Sequence, residues 1–503
     1  MIPPASHTDA PCAPRGAGWW LTLVLLVGAL VRIGYAVVAA GMFHPDEIHQ
    51  SLEPAHGVVF GVGLRSWELV SGARPWTTPG VYVLLLGALK LLGLTTPERY
   101  LLMIRLFDAL IACTWPWLCF RMARALRSPR AGLIAASLTA AWYFLVLLAP
   151  RALNHTFSVT FALWALARVL ERRDGRRALL LTGGLFGLAF AFRYQDGLVA
   201  LGAGLFLLSE RRARELPLLL AGAALPTLGV GLLDAVTWGA AFHSLFEYLR
   251  ANLVEGAAGR FGAMPAWFYA WHVPAALGWG ALWLLLLPLV DRRTARLLLT
   301  VAGTVLLAHS LTANKQLRFV LPALLVLLCA LGCAADALLL RLARGRRLLG
   351  IALLASWVLA SIHGARGLSF ARLGIFAGQP EAVESPWFFR RDLNRALVKL
   401  GRREDLCGLV VYPYGGAAGA ARLATTGGYT HLHRAVPLSM GPLTAETAPF
   451  TSHALLCPDA QGRRLDLPGF APLGRVGTCV VARRPGFHCD AALAAHQLQP
   501  ARW

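Results

Sequence analysis

Apolar runs close to the length of a lipid bilayer recur along residues 1–365, and most of them are closed by arginines. A spanning helix needs about 20 apolar residues, and each backbone polar group inside hydrocarbon must find its partner within the protein. A chain of this pattern can fold only as a bundle of spanning helices. The first run is Trp19–Ala39; others lie near 99–120, 131–149, 155–170, 178–192, 197–209, 216–236, 274–290, 297–311, 319–340 and 348–364, eleven in all. Several hold only about 13 to 17 residues and must recruit their flanks to span. Trp19–Ala39 is followed by no clear cleavage site and reads as a retained span. Composition agrees, with 57% of 503 residues hydrophobic and 15% charged.

The net charge of +22 would suggest a nucleic-acid partner in a soluble chain. Here the arginines stand between apolar runs, where they set orientation, and no nucleic acid is expected. With the amino terminus inside, the short loops 121–130, 171–177, 210–215, 291–296 and 341–347 carry eighteen arginines. The short loops of the other side carry Arg151, Arg193, Lys315 and Arg318, with Arg250 and Arg260 in a longer one. That asymmetry selects the orientation. Pro79 to Leu94 is apolar but short and contains Lys90; as a full span it would invert every later loop, so it reads as an interfacial or re-entrant helix.

The predicted fold is therefore an α-helical multi-pass membrane protein of about 11 spans over 1–365, with a first outside loop at 41–98 and a second large one at 237–273. Residues 366–503 change character. Pro, Gly and polar residues separate short apolar strands such as Gly408–Tyr412 and Thr478–Ala482, which predicts a small C-terminal extracytoplasmic α/β domain. Four of its cysteines, Cys407, Cys457, Cys479 and Cys489, allow two disulfides in three possible pairings. Cys113, Cys119, Cys329 and Cys333 lie in apolar spans and read as packing residues.

The chemistry concentrates just past the first span, in Phe43-His44-Pro45-Asp46-Glu47-Ile48-His49-Gln50. Adjacent acids are costly beside a membrane and mark a functional loop. Neighbours in sequence do not face each other on a helix, so one acid is expected to act on a substrate while the other positions. Around them stand Glu53, His56, Arg65, Trp67, Glu68, Arg74 and Trp76, more polar and aromatic groups than a connector needs, although tryptophan and arginine also populate membrane interfaces. His44 and His49 are five apart and His309 is remote, so no metal-ligand set forms and no metal or cofactor is expected.

The run HPDEIHQSLEPAHGVVFGVGLRSWEL, from His44 to Leu69, followed by GARPWTTP, resembles the first lumenal loop of the lipid-linked mannosyltransferases of glycosylphosphatidylinositol (GPI) and N-glycan assembly. These form glycosyltransferase family 22, of GT-C membrane architecture. The resemblance continues, in order, through Asn252 to Gly256, Phe261-Gly262 and Pro265 to Tyr269, then His309-Ser310, Lys315, Arg318-Phe319 and Pro322, and finally Gly427-Gly428-Tyr429. The nearest relatives look like the GPI mannosyltransferases of the third or fourth transfer step. It implies a polyprenyl- or dolichyl-phosphate-mannose donor, a glycan or glycolipid acceptor, surrounding membrane lipids and a single inverting displacement. It also implies Asp46 as first choice for the general base and Glu47 as second, with Lys315, Arg318, Arg193 and Arg151 as candidates for the donor phosphate. His44, His49, Gln50, Glu53, Trp67, Glu68, Trp76 and His309 would line the substrate loop.

The pattern also departs from the family. Where relatives often show His-Lys-Glu-Glu-Arg-Phe, this chain has Asn314-Lys315-Gln316-Leu317-Arg318-Phe319, and Arg193-Tyr194-Gln195-Asp196 stands where they often show Arg-Pro. Two other readings stay open: a GT-C transferase of another lipid-phosphate sugar, and a lipid-linked-sugar flippase. The flippase is disfavoured by the lack of internal repeats and by polar groups gathered at span ends on one side. Heavy use of Ala, Leu, Arg and Gly suggests a bacterial cell membrane with the site facing the periplasm; in a eukaryote the site would face the endoplasmic reticulum lumen.

Overall fold

The structure, a computed structural model, describes residues 17–375 except 174 and 343, together with 384–412, 428–439, 443–445, 447–458, 466–490 and 494. Six of its helices are long and apolar enough to cross a membrane: Gly18–Val38, Pro97–Leu126, Ala213–Trp238, Phe268–Leu289, Leu317–Arg341 and Arg346–Arg366. The other predicted spans are helical but shorter or interrupted. Trp142, at ψ 117°, breaks the run 129–148, and Arg193, at φ −152° and ψ 108°, separates Arg176–Phe192 from the turn and helix that follow. Among the described residues six helices thus have the length and apolarity of a full span, where the sequence predicts eleven spans. Large apolar side chains such as Leu225, Val236 and Leu348 are about three-quarters exposed on these helices, a surface suited to acyl chains rather than water.

Leu317–Arg341 is the centre of the bundle. Its most apolar stretch is 83% buried, against 22–44% for the other five long helices, and it packs on Pro129–Ala141 and Thr114–Leu126. The tightest helix pair is Arg176–Phe192 against Leu216–Trp238. Gly183 and Gly187, four apart on one helix, face the carbonyls of Leu219 and Ala223, while Gly222 faces the carbonyl of Leu180; a methyl group at any of the three would strike backbone. In lipid, where the hydrophobic effect does not press helices together, such close approach supplies the attraction.

Five strands follow the bundle: β1 (Leu409–Tyr412), β2 (Leu438–Ser439), β3 (His453–Leu456), β4 (Ala471–Val476) and β5 (Cys479–Arg483), in spatial order β2-β1-β3-β5-β4. β1 is parallel to β2 and β3, whereas β5 is antiparallel to β3 and β4. The helix Arg391–Gly401 lays Leu393, Leu397 and Leu400 against Leu409, Val411, Leu455 and Val481. Of the three possible disulfide pairings the structure has Cys407 with Cys489 and Cys457 with Cys479, at Cα separations of 5.9 and 4.1 Å. Cys113, Cys119, Cys329 and Cys333 are free thiols in the helices.

This segment is fastened to the first loop and first helix. Met42 N–H donates to the Phe389 carbonyl at 2.8 Å, and the Tyr35 hydroxyl donates to the Trp387 carbonyl at 2.9 Å.

Replacing Gly187 by Leu should push the paired helices apart and lower stability by roughly 1–3 kcal/mol, the usual scale of overpacking. Gly184→Ala, whose methyl would meet only the Gly222 carbonyl at an ordinary 3.7 Å, should be neutral or stabilise by up to about 1 kcal/mol. Thermal unfolding of the detergent-solubilised protein checks both; equal losses from the two would show that close packing is not what holds this pair.

Candidate active site

The first helix ends at Val38, and the chain turns through Met42 and Phe43, both fully buried, into the π-helical turn Glu47–Leu52. The Glu47 carboxylate folds back to accept the backbone N–H groups of Phe43 and, at 3.4 Å, His44. It serves the turn as a capping side chain does a helix start. Arg151 lies 3.8 Å away and braces it, while itself donating to the Gly41 carbonyl at 2.9 Å and the Tyr35 hydroxyl at 2.5 Å.

Asp46 points the other way. Its side chain is 25% exposed, against 6% for Glu47. One carboxylate oxygen receives Arg318 Nη2 at 2.7 Å and the other lies 3.2 Å from His44 Nδ1. Arg318, buried, also donates Nε to Gln316 Oε1 at 2.6 Å, which fixes its fork. Burial alone would raise the Asp46 carboxyl; the imidazole of His44 and the guanidinium of Arg318 outweigh it and hold the group well below the ordinary carboxylate range. Burial pushes Glu47 up, with Arg151 opposing. Asp46 is thus the acid that is both ionised and reachable.

A second tier stands beside this pair. Glu68 takes Arg74 through Nη2 at 2.7 Å and Gln50 Nε2 at 2.7 Å. Gln50, Arg74, Asn154, Arg193 and Tyr194 line a cavity between the first loop and the ends of two helices. Arg193 is held by Asp196 at 2.7 Å and the Phe319 carbonyl at 3.1 Å, with His309 Nε2 at 3.5 Å. His155 stacks on Phe319 at 6.4 Å; both its ring nitrogens are buried without a hydrogen-bond partner among the described residues.

The other sequence-predicted residues fall elsewhere. Lys315, only 2% exposed, spends its ammonium on the carbonyls of Met264, at 2.8 Å, and Thr312; it staples two loops rather than facing the cavity. Trp67 is 37% exposed and Trp76 caps the helix Thr77–Leu91, while His49 is buried. Glu53 is fully buried and turned toward the carboxyl-terminal segment. It accepts Thr430 N–H at 2.7 Å, Thr430 Oγ1 at 2.6 Å and Leu64 N–H at 2.7 Å. Gly428, at φ +54°, leaves the space that this carboxylate occupies. Gly427 of the same motif lies outside the described residues. His56 Nε2 meets His433 Nδ1 at 3.0 Å.

Four contributors are absent from the sequence reading of the site: Gln316, Asp196, Asn154 and His155. Asp196 and Gln316 sit where the chain departs from the family pattern, which was the one available signal. Asn154 and His155 follow Arg151 at a helix start and carry none. Among the described residues no group of three His, Cys, Asp or Glu side chains is placed to hold a metal ion.

The profile of the Alg9-like mannosyltransferase family matches residues 19–374. GPI mannosyltransferase 3 of Yarrowia lipolytica is 29% identical over 311 residues, 59% of this chain and 59% of that protein. GPI alpha-1,2-mannosyltransferase 3 of Homo sapiens is 26% identical over 314 residues, 60% of this chain and 55% of that one. The chain thus spans less than two thirds of the length of these curated relatives. Among solved structures, ArnT from Cupriavidus metallidurans bound to undecaprenyl phosphate aligns with a TM-score of 0.58 at 14% identity, over 95% of this chain and 99% of that one. The Archaeoglobus fulgidus oligosaccharyltransferase complex with Zn and sulfate gives 0.51 at 14% identity, over 87% and 67%. At such identities the likeness is one of fold.

The Glu53 contact carries a pH dependence. Burial, opposed by the Thr430 and Leu64 donors, raises this carboxyl from 4.5 to about 7. Between those values the folded chain holds more protons than the unfolded one, so the stability tied to Glu53 is full below pH 4.5 and is lost as pH rises through about 7. His56, pushed by burial from 6.5 to about 3, works in the opposite sense below pH 6.5 but is common to both proteins compared. Glu53→Gln should therefore gain on the wild type by up to about 3 kcal/mol between pH 4.5 and 7. Thermal unfolding of both across that range checks it, and parallel curves would overturn the assignment.

Proposed function

Because the chain belongs to the Alg9-like mannosyltransferase family, we propose that it transfers mannose from a polyprenyl- or dolichyl-phosphate-mannose to a lipid-linked glycan acceptor with inversion, leaving an α-mannoside. One observation carries the mechanism: a partly exposed carboxylate, Asp46, is held 2.7 Å from the buried guanidinium of Arg318. The GPI mannosyltransferase relatives support a glycolipid acceptor, and the undecaprenyl phosphate bound to ArnT is consistent with a lipid-phosphate donor.

In this scheme the acceptor hydroxyl oxygen attacks C1 of mannose while the bond from C1 to the phosphate oxygen breaks. The hydroxyl proton passes to Asp46 and the lipid phosphate leaves with one more negative charge. Asp46 is a weak base while paired, so proton transfer must accompany bond formation. Arg318, Arg193 and Arg74 are the cations available to the leaving phosphate, and the scheme calls on them rather than a metal for that charge. A phosphate that draws Arg318 from Asp46 would raise the basicity of the carboxylate at the moment it is needed. Glu47 and Arg151 hold the turn that presents Asp46. The arginine asymmetry of the sequence supports an outside position for this site, periplasmic in a bacterium or lumenal in a eukaryote.

Asp46→Asn should lower transfer from a synthetic short-chain polyprenyl-phosphate-mannose to mannosyl acceptors by about 100- to 10,000-fold. Glu47→Gln should lower it too, with loss of thermal stability, since its charge faces Arg151. Transfer that survives both substitutions would sink the assignment of the base. Activity confined to another lipid-phosphate sugar would favour the wider GT-C reading over mannose.

A further inference from the structure

Two cavities close opposite ends of the same pair of helices. Asn154 and Phe192, the first residue of one helix and the last of the other, line the cavity beside the first loop; Leu170 and Ala178, at their far ends, line a second cavity. Each helix has 17 residues, which sets the two cavities about 25 Å apart. That is close to the hydrocarbon thickness of a bilayer. The second cavity therefore opens at the membrane surface away from Asp46.

Its lining is strongly cationic. Arg121, Arg124, Arg168, Arg172, Arg173 and Arg293 face it against a single acid, Glu171. That acid is already committed, to Arg121 at 2.6 and 2.7 Å and to Arg173 at 3.2 Å. Glu210, outside the lining, lies 3.5 Å from Arg172 and Arg293 but is taken more closely by Arg296 at 2.5 Å. Two guanidinium groups are positioned chiefly by backbone carbonyls, with Glu210 standing off from Arg293 at 3.5 Å. Arg293 donates to the carbonyls of Ala125 at 2.9 Å and Leu170 at 3.1 Å, and Arg168 to the carbonyl of Ala178 at 3.1 Å. Arg124 is exposed, with no partner among the described residues.

Arginines that serve only to orient a membrane protein need to reach water; they have no reason to converge. Here three separate stretches of chain, the end of Thr114–Leu126, the end of Asn154–Leu170 with the turn after it, and the start of Arg292–Leu297, bring six to one concavity. A cluster of guanidinium forks with a deficit of acids, three of them (Arg121, Arg168 and Arg293) held in place, is complementary to a phosphate group, which accepts several charge-assisted hydrogen bonds at once. We propose that this cavity binds a phosphate-bearing anion at the membrane surface opposite the transfer site. The chemistry suits an anionic lipid headgroup and a free phosphate alike; basic pockets between helices at that level are where anionic headgroups settle.

The test uses the full-length protein purified in a neutral detergent and titrated with phosphatidylglycerol or phosphatidylcholine, read by native mass spectrometry. Phosphatidylglycerol should bind and phosphatidylcholine should not. Arg124→Gln with Arg173→Gln should weaken the phosphatidylglycerol complex about thirtyfold, the equivalent of roughly 2 kcal/mol for two surface arginines. Arg346→Gln with Arg347→Gln removes the same charge from exposed positions outside the cavity and should leave binding within about twofold. Inorganic phosphate that displaces the lipid would identify free phosphate as a sufficient ligand, and failure to displace it would identify the headgroup within its lipid. Equal uptake of the two lipids by the wild type, or equal losses from the two double variants, would overturn the proposal.

Discussion

The ion pair of Asp46 with Arg318 joins positions 272 residues apart and sets the geometry of everything near it. Arg318 opens the most buried of the six long helices, so the first loop is tied to the centre of the bundle. Removing two charges from water costs several kcal/mol each, and the pair holds only where remaining donors and acceptors are met. Gln316 meets one donor of Arg318, and His44 lies within 3.2 Å of both members. The site is therefore a network across the first and the late loops. Neither loop would hold its charge alone.

The carboxyl-terminal segment is the third party. Glu53, about two turns beyond Asp46, is met by Thr430, whose carbonyl in turn takes the Tyr100 hydroxyl. The short helix Gly428–Leu432 and the first loop thus supply three donors to one buried carboxylate, and the bundle holds that helix through Tyr100. The loop that presents Asp46 is pinned at both ends, to Arg151 through Glu47 and to Thr430 through Glu53. Such double anchoring limits how far the Asp46 carboxylate can wander, and holding a group in place is what a scaffold contributes to any site.

Much of this was legible in the sequence because acids and arginines beside a membrane are expensive and therefore informative. Asp46, Glu47, Glu68 and Arg318 stood out for that reason, and the structure brings them to one end of the bundle. Local pattern could not separate the roles of Asp46 and Glu47, because only the bend of the chain through Met42 and Phe43 decides which acid meets backbone N–H groups and which faces out. Lys315 read as a phosphate ligand because its carbonyl partner, Met264, is 51 residues away. Glu53 read as part of the substrate loop because Thr430 is 377 residues away. The short helices are a separate case. Apolar composition marks membrane depth, while the breaks at Trp142 and Arg193 depend on tertiary partners such as Ser361, which accepts the Tyr143 N–H at 2.8 Å.

Polar groups inside the bundle show how the fold distinguishes structure from chemistry. Arg32, in the middle of the first helix, donates to the carbonyls of Thr139 at 2.9 Å and Ala140 at 3.0 Å, just where the helix Pro129–Ala141 ends and frees them. Asp108 accepts the Tyr82 hydroxyl at 2.9 Å, which holds the short helix Thr77–Leu91 against a long one. Asp336 takes Arg127 at 2.8 Å and Ser128 at 3.0 Å. Each uses the protein to offset the cost of a charge in an apolar layer. Asp46 is paired with Arg318 and Arg74 with Glu68, yet each keeps part of its surface open, and Arg74 lines a cavity. A pair closed on all sides can only stabilise, whereas a pair with one open side can exchange a partner. That difference in exposure, more than residue type, separates the groups that build this membrane fold from those fit to meet a substrate.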